Sequence, residues 1–341
     1  MQLYTNQMKY KGNRMNVVVI GGSGFIGTRL TTRLLSAGHT VKIVDKKESL
    51  KYPHLHVYAD VRKLETLEKE LANSDVVINL AAEHRDDVTP KSLYDEVNVT
   101  GAENVCSVCF KFGIRRIIFT SSVAVYGFAP IGTDETGKIN YFNDYGRTKW
   151  LAEEKYRKWL DLNPENSLTI IRPTVVFGEQ NRGNVYNLLR QIASGKFLMI
   201  GDGKNVKSMA YVENVAAFIE YNLNNIPGEY IYNYIDKPDL NMNLLVKNIN
   251  CILNKSTKIL HFPYWIGYVG GLCFDLIAKI LGVNLTISSI RVKKFCANTM
   301  FEISNIKKTK FYVPVSLIDG LEKTIKYEFV DKIEGHVFHT E

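Results

Sequence analysis

The chain has 341 residues, 45% hydrophobic and 23% charged, an ordinary globular composition with no low-complexity tract or repeat, which excludes disorder, collagen, solenoid and coiled coil. Lys and Arg outnumber Asp and Glu by 43 to 35, a net charge of +8. Most of the excess lies in residues 251–310, where nine basic side chains face only Asp275 and Glu302. Five cysteines in so long a chain, without a secretory leader, argue against a disulfide scaffold and point to a reducing, cytoplasmic compartment.

Residues 1–14 lack the apolar core and small-residue cleavage site of a signal peptide and are expected to form a flexible extension. From residue 15 onward, short β-branched runs alternate with amphipathic stretches. Strands are predicted at Val17–Ile20, Thr40–Val44, His56–Tyr58, Val76–Leu80, Arg116–Ser121 and Leu168–Arg172. Helices are predicted near Gly24–Ala37, Leu64–Ala72, Tyr94–Phe112 and Tyr145–Leu162. Apolar strands separated by helical crossovers describe an α/β class, a doubly wound parallel Rossmann sheet covered on both faces, with its ligand crevice at the carboxyl ends of the strands. The rhythm changes after Gly178. Residues 15–178 are therefore assigned to a nucleotide-binding domain, 179–330 mainly to a smaller C-terminal substrate-binding lobe with some elements returning to the sheet, and 331–341 to a tail. No apolar run approaches the ~20 residues of a membrane span; the nearest, Phe262 to Phe274, is interrupted by Asp275 and Lys279.

The first chemical signal is Gly21-Gly22-Ser23-Gly24-Phe25-Ile26-Gly27, directly after the first strand and opening the first helix. Glycines at 21, 24 and 27 allow a tight turn whose helix N-terminal amides can hold a pyrophosphate. Asp45, ending the second strand, can accept hydrogen bonds from an adenosine ribose and repel a 2′-phosphate, which favours NAD over NADP; Lys46 and Lys47 weaken that preference. The second signal is Tyr145-Gly146-Arg147-Thr148-Lys149, whose i and i+4 members share one helix face, one strand-and-helix unit after Thr120-Ser121-Ser122. A nearby ammonium is expected to lower the tyrosine pKa toward the working range of a base, and Ser122 can hydrogen-bond the oxygen that loses its proton.

The glycine spacing and this Ser-Tyr-Lys set resemble the extended short-chain dehydrogenase/reductase family over almost the full chain. The resemblance implies catalysis by Ser122, Tyr145 and Lys149. It implies a cofactor site formed by Gly21, Ser23, Gly24, Phe25, Ile26, Gly27, Asp45, the adenine-contacting pair Asp60-Val61, the loop Leu80-Ala81-Ala82, the helix-kink Asn98, Tyr145, Lys149 and Pro173. Dehydratases of the family carry an acidic pair after the catalytic hydroxyl, where this chain has Val123 and Ala124, and an epimerase needs no further acid or base. Longer stretches, including Glu83-His84-Arg85-Asp86-Asp87, Asn181-Arg182-Gly183-Asn184, Tyr232-Asn233-Tyr234 and Ser289-Ile290-Arg291-Val292-Lys293-Lys294, are similar to those of the family's 4-epimerases that interconvert N-acetylglucosamine and N-acetylgalactosamine on undecaprenyl diphosphate.

That narrower similarity implies an isomerase of O-antigen or other surface polysaccharide precursors that retains its NAD and regenerates it each cycle. Its substrate would be a lipid-linked sugar diphosphate, and it would sit at the cytoplasmic face of the cell membrane. His84, Ser122, Val123, Arg182, Asn184, Arg291 and Thr299 are the implied substrate contacts; a solvated loop explains His84 equally well. A soluble UDP-sugar 4-epimerase, an NAD(P)-dependent reductase or dehydratase, and a non-catalytic NAD-binding regulator are the alternatives, and a homodimer stays open. The stripe Trp265, Val269, Leu272, Leu276 and Ile280 in a helical reading of 265–281 fits either an interfacial helix on an anionic membrane or packing in the lobe core. Cys106-x-x-Cys109 has no partner pair for a metal and reads as two reduced, packed thiols. The basic segment lacks the aromatic-basic modules of nucleic-acid readers, so no nucleic-acid partner is expected.

Overall fold

The computed structural model describes residues 14–85, 88–255, 259–281, 288–333 and 335–338. The expected extension, except Arg14, lies outside the described residues, as do Asp86, Asp87 and Lys258 and part of the tail.

Seven parallel strands form the central sheet in the order β3-β2-β1-β4-β5-β6-β11. They are β1 (Asn16–Ile20), β2 (Thr40–Asp45), β3 (His56–Tyr58), β4 (Val76–Asn79), β5 (Arg116–Thr120), β6 (Ser167–Pro173) and, from the C-terminal half, β11 (Gly228–Tyr234). The six strands read from the sequence are present; the seventh was missed. Its sequence, GEYIYNY, is half polar, and it is fixed by pairing all seven residues with β6, Gly228 to Ser167 through Tyr234 to Pro173.

One face of the sheet is covered by α2 (Leu64–Leu71), α4 (Gly101–Lys111) and α5 (Asp144–Leu160), which bury Leu67, Val105, Val108, Tyr156 and Trp159 against the strands. The other is covered by α1 (Phe25–Ser36) and α7 (Val212–Tyr221) through Leu30, Leu34, Phe218 and Ile219. The single helix predicted over Tyr94–Phe112 is broken into α3 (Ser92–Tyr94), a π-helical turn over Asp95–Thr100, and α4. The widened turn places Asn98 inward, where its amide accepts from Glu83 N (2.8 Å) and donates to Glu83 O and Thr148 Oγ1 (both 2.9 Å). A buried amide with all these partners is a reason for the helix to take the extra residue.

The remaining elements are β7 (Val175–Phe177), α6 (Asn184–Ala193), β8 (Leu198–Ile200), β9 (Val206–Lys207), β10 (Met209–Tyr211), β12 (Leu240–Asn241), α8 (Met242–Ile252), β13 (Leu260–Phe262), α9 (Tyr264–Leu281), α10 (Ser289–Cys296) and α11 (Leu317–Ile325). Leu189, Met199, Tyr211, Leu245, Leu317 and Leu321 form a further core among them. The tail does not hang free: Phe338 is buried against Phe25, with ring centroids 5.7 Å apart, and its amide donates to Gln180 O.

The segment at 265–281 is the helix α9, and the core-packing reading of its stripe is overturned. Trp265 is 66% exposed, Leu276 60% and Ile280 72%, with Val269 and Leu272 also exposed. The helix packs instead by its opposite side, where Gly267 meets Ile200 and Gly271 meets Ser289. A Cβ at either would lie 2.7 Å from its neighbour. The two glycines let the helix approach the body of the protein closely there, and Tyr264, Ile266, Phe274 and Ile277 are exposed in addition to the stripe. No described helix is long and apolar enough to cross a membrane.

Candidate active site

The glycine loop is built by backbone geometry before any side chain acts. Gly21 has φ +74°, and a Cβ there would lie 2.7 Å from Ala81 N. At Gly27 a Cβ would sit 2.5 Å from Gly22 Cα and 2.6 Å from Gly22 O. No rotamer relieves a clash between backbone atoms. Gly27→Ala is therefore expected to push α1 off the loop, cost about 1–3 kcal/mol of stability and abolish dinucleotide binding, read by a thermal melt and by NAD titration; an unchanged melt with NAD still bound would refute the close-approach argument. The loop leads into α1 with Gly24 at the cap and no side-chain capping bond, so its first amides are left for an anion. Ser23 Oγ is buried with no hydrogen-bond partner, while Ser23 N donates to Asp45 Oδ2 (3.1 Å).

The structure thus joins Gly21, Ser23, Gly24, Phe25, Ile26, Gly27 and Asp45 in one cradle at the end of β1 and β2. The other Asp45 oxygen accepts from Lys47 N (3.0 Å). Leu80, Ala81 and Ala82 follow β4 and border the loop at Gly21. Asp60 is buried and its carboxylate is gripped by Arg62 (Nη2 2.6 Å, Nε 3.0 Å), which holds its pKa below the usual carboxylate range. Val61 packs on Gly101. A glycine loop with uncapped helix amides, an orphaned hydroxyl within that loop and an acidic side chain at the next strand end fit a dinucleotide such as NAD.

The second group lies at the ends of β5 and α5. Ser122 follows β5 and its Oγ accepts from Ala124 N (3.1 Å), capping a 3₁₀ turn over Val123–Tyr126. Helix α5 begins at Asp144 after the Asn143 cap, whose side chain accepts from Gly146 N (2.9 Å). Tyr145 and Lys149 thus project from its first two turns. Burial raises the Tyr145 pKa and the Ser122 side chain opposes the rise. This is the reverse of the lowering expected from the lysine, because desolvation of the phenolate is the dominant effect. Burial also brings the Lys149 ammonium down to about 7, with Glu153 opposing, and the ammonium lies 4.3 Å above the centre of the Phe119 ring.

Beneath this pair lies a buried network that the sequence reading missed. Glu153, one turn beyond Lys149, is fully buried, accepts from Ser121 Oγ (2.6 Å), and pairs with Arg172 (Nε 2.8 Å, Nη2 2.5 Å) and Arg157 (3.0 Å). Arg172 Nη1 donates to Tyr126 OH (2.6 Å), which donates to Asn233 Oδ1 (2.8 Å). Both of these bonds hold the buried Tyr126 hydroxyl within the fold. The available signal was the i+4 spacing of Glu153 after Lys149, which places a carboxylate on the helix face that carries Tyr145 and Lys149.

The implied substrate contacts are less closely gathered. Val123 lies beside Ser122, and His84 is exposed on the loop after β4. Arg182 is paired with Glu328 (2.7 Å) and stacked 4.1 Å from the Tyr186 ring centre, which ties it to the region after α11. Asn184 opens α6, and Arg291 lies in the first turn of α10. Pro173 ends β6 beside Tyr234. Thr299 is held by its backbone between Val206 O and Ser208 N (both 3.0 Å). Cys106 and Cys109 are free thiols in α4, with burial pushing both pKa values up.

Comparison with known proteins agrees with this geometry. The NAD dependent epimerase/dehydratase family matches residues 17–234. N-acetyl-alpha-D-glucosaminyl-diphospho-ditrans,octacis-undecaprenol 4-epimerase of Escherichia coli O157:H7 is 52% identical over 317 residues, covering 92% of this chain and 96% of that protein. UDP-glucose 4-epimerase of Vibrio cholerae is 27% identical over 91% of this chain and 94% of its own. The fold is shared with the Thermus thermophilus UDP-glucose 4-epimerase solved with NAD, at a TM-score of 0.72 and 19% identity, covering 92% of this chain and 98% of that one.

Proposed function

The chain belongs to the NAD dependent epimerase/dehydratase family, and from that premise we propose that it is a 4-epimerase interconverting N-acetylglucosamine and N-acetylgalactosamine on undecaprenyl diphosphate. The observation that carries this reading is the 52% identity, spread over 96% of a relative with that specificity, and it is supported by Ser122 following β5 and by Tyr145 and Lys149 standing on the first two turns of α5.

The glycine loop, Ser23 and the α1 amides would hold the pyrophosphate of NAD, and Asp45 its adenosine ribose. When bound, NAD supplies the hydride acceptor and donor for C4 and is regenerated each cycle, so tight retention suits the site. Tyr145 removes the proton of the 4-hydroxyl and later returns it, Ser122 hydrogen-bonds the same oxygen, and the Lys149 charge favours the phenolate. The resulting 4-keto sugar is planar at C4, and presenting its other face on return inverts the centre. Val123 and Ala124 offer no acid to eliminate water, which argues against a dehydratase and suits epimerisation.

The membrane side of the proposal rests on α9. An exposed apolar stripe on a helix too short of apolar length to span, joined to the basic α10, fits an interfacial helix on an anionic cytoplasmic leaflet. The test offers UDP-N-acetylglucosamine and undecaprenyl-diphosphoryl-N-acetylglucosamine in parallel and identifies the product sugars. Turnover of the lipid-linked sugar is expected, with sedimentation on anionic liposomes that is lost in high salt and reduced in Trp265→Asp. Turnover of the nucleotide sugar alone, with no liposome binding, would make the protein a nucleotide-sugar epimerase.

A further inference from the structure

A groove of about 480 Å³ opens between the start of α9 and the end of α10, lined by Ile200, Asn205, Tyr264, Lys293, Cys296 and Ala297. Its size falls among small-ligand sites, roughly 300–1,000 Å³. Its walls are fixed by hydrogen bonds. Lys207 Nζ, from β9, donates to Lys294 O (2.8 Å) and Ala297 O (2.7 Å), Asn205 Nδ2 donates to Phe295 O (2.8 Å), and Cys296 Sγ donates to Ile200 O (3.4 Å). The last turn of α10 is thus bolted to β8 and the loop after it. Asp202, the acid on the rim, already accepts from Lys204 N and lies 3.9 Å from its ammonium.

Two of the lining residues lead to different chemistry. The Lys293 ammonium lies 5.2 Å from the Phe128 ring centre, Phe128 packs on Phe142 (4.7 Å), and Phe142 immediately precedes the Asn143 cap of the helix that carries Tyr145. Tyr264 is followed by Trp265 and the exposed apolar stripe of α9, and Leu260 and Phe262 of the preceding strand are also exposed. A cation toward the catalytic side and apolar walls toward the interfacial helix match a molecule that is a diphosphate at one end and a hydrocarbon at the other.

We propose that this groove receives the isoprene units nearest the diphosphate of a polyprenyl-linked sugar, with Lys293 facing the phosphates, so that the chain passes from the catalytic crevice to the membrane along α9. The proposal rests on the lipid-linked reading above and adds the path of the lipid. It is tested with N-acetylglucosaminyl diphosphate esters of increasing chain length, from ethyl through geranyl and farnesyl to undecaprenyl. For the wild type, KM should fall at least about tenfold between ethyl and farnesyl esters in the absence of membranes and then level off, because apolar burial is gained only while the groove fills. Ala297→Phe, which fills the groove, should remove that dependence while keeping the ethyl-ester kcat, liposome sedimentation and melting temperature. Equal KM for ethyl and farnesyl esters in the wild type would overturn the groove while leaving the lipid-linked reading intact, and so would a folded Ala297→Phe enzyme with the parent chain-length dependence. A wild type that turns over UDP-N-acetylglucosamine and none of the diphosphate esters would overturn both.

Discussion

Tyr145→Phe is expected to reduce epimerisation by about 10²–10⁴-fold or more, the usual worth of a positioned acid–base group, without releasing NAD. The glycine loop and Asp45, proposed to hold the dinucleotide, lie between β1 and α1 and at the end of β2, whereas Tyr145 stands on α5, so removing one hydroxyl while keeping the ring leaves most of the proposed dinucleotide contacts in place. Single-turnover assays, with the NAD content measured after heat denaturation, separate the two effects. Burial raises the Tyr145 pKa, so the phenolate needs positive charge close by when it acts as a base. Lys149 is the buried cation at i+4, and Lys149→Ala should raise the Tyr145 pKa further, shifting the acid limb of the kcat profile to higher pH as well as lowering its plateau. A loss below tenfold in Tyr145→Phe would assign the base elsewhere.

Glu153→Ala should be among the most destabilising single changes outside the glycine loop, at about 3–5 kcal/mol. It strands the Arg172 guanidinium, 2% exposed, inside the protein and removes the acceptor of Ser121 Oγ. The size comes from a charge left buried without its partner rather than from the net worth of the ion pair. Chemical denaturation of Glu153→Ala against Glu153→Ala/Arg172→Met tests this directly: the double variant should recover a large part of the loss. If the single variant fell by less than 1 kcal/mol, the network would not be holding β5, β6 and α5 in register.

The sequence by itself determined the strand-and-helix alternation, the glycine loop and the Ser-Tyr-Lys set. Most of these features depend on residues within a few positions of one another: a glycine that must turn, apolar alternation that must be buried, a tyrosine and lysine one helical turn apart; Ser122, 23 residues before Tyr145, was legible only through the family resemblance. Only the tertiary structure decided the rest. β11 became the seventh strand because β6 offered an open edge for its backbone, which no pattern within its own seven residues announces. The π turn at Asn98 answers to Glu83 and Thr148, 15 and 50 residues away. Arg172 and Glu153 are ordinary charged residues until strand and helix enclose them together. The stripe of α9 shows the limit most clearly. Periodicity establishes that a helix has an apolar face, but whether that face meets the core or solvent depends on which side packs closest. Gly267 and Gly271 decided that against Ile200 and Ser289, and so left Trp265, Leu276 and Ile280 outside.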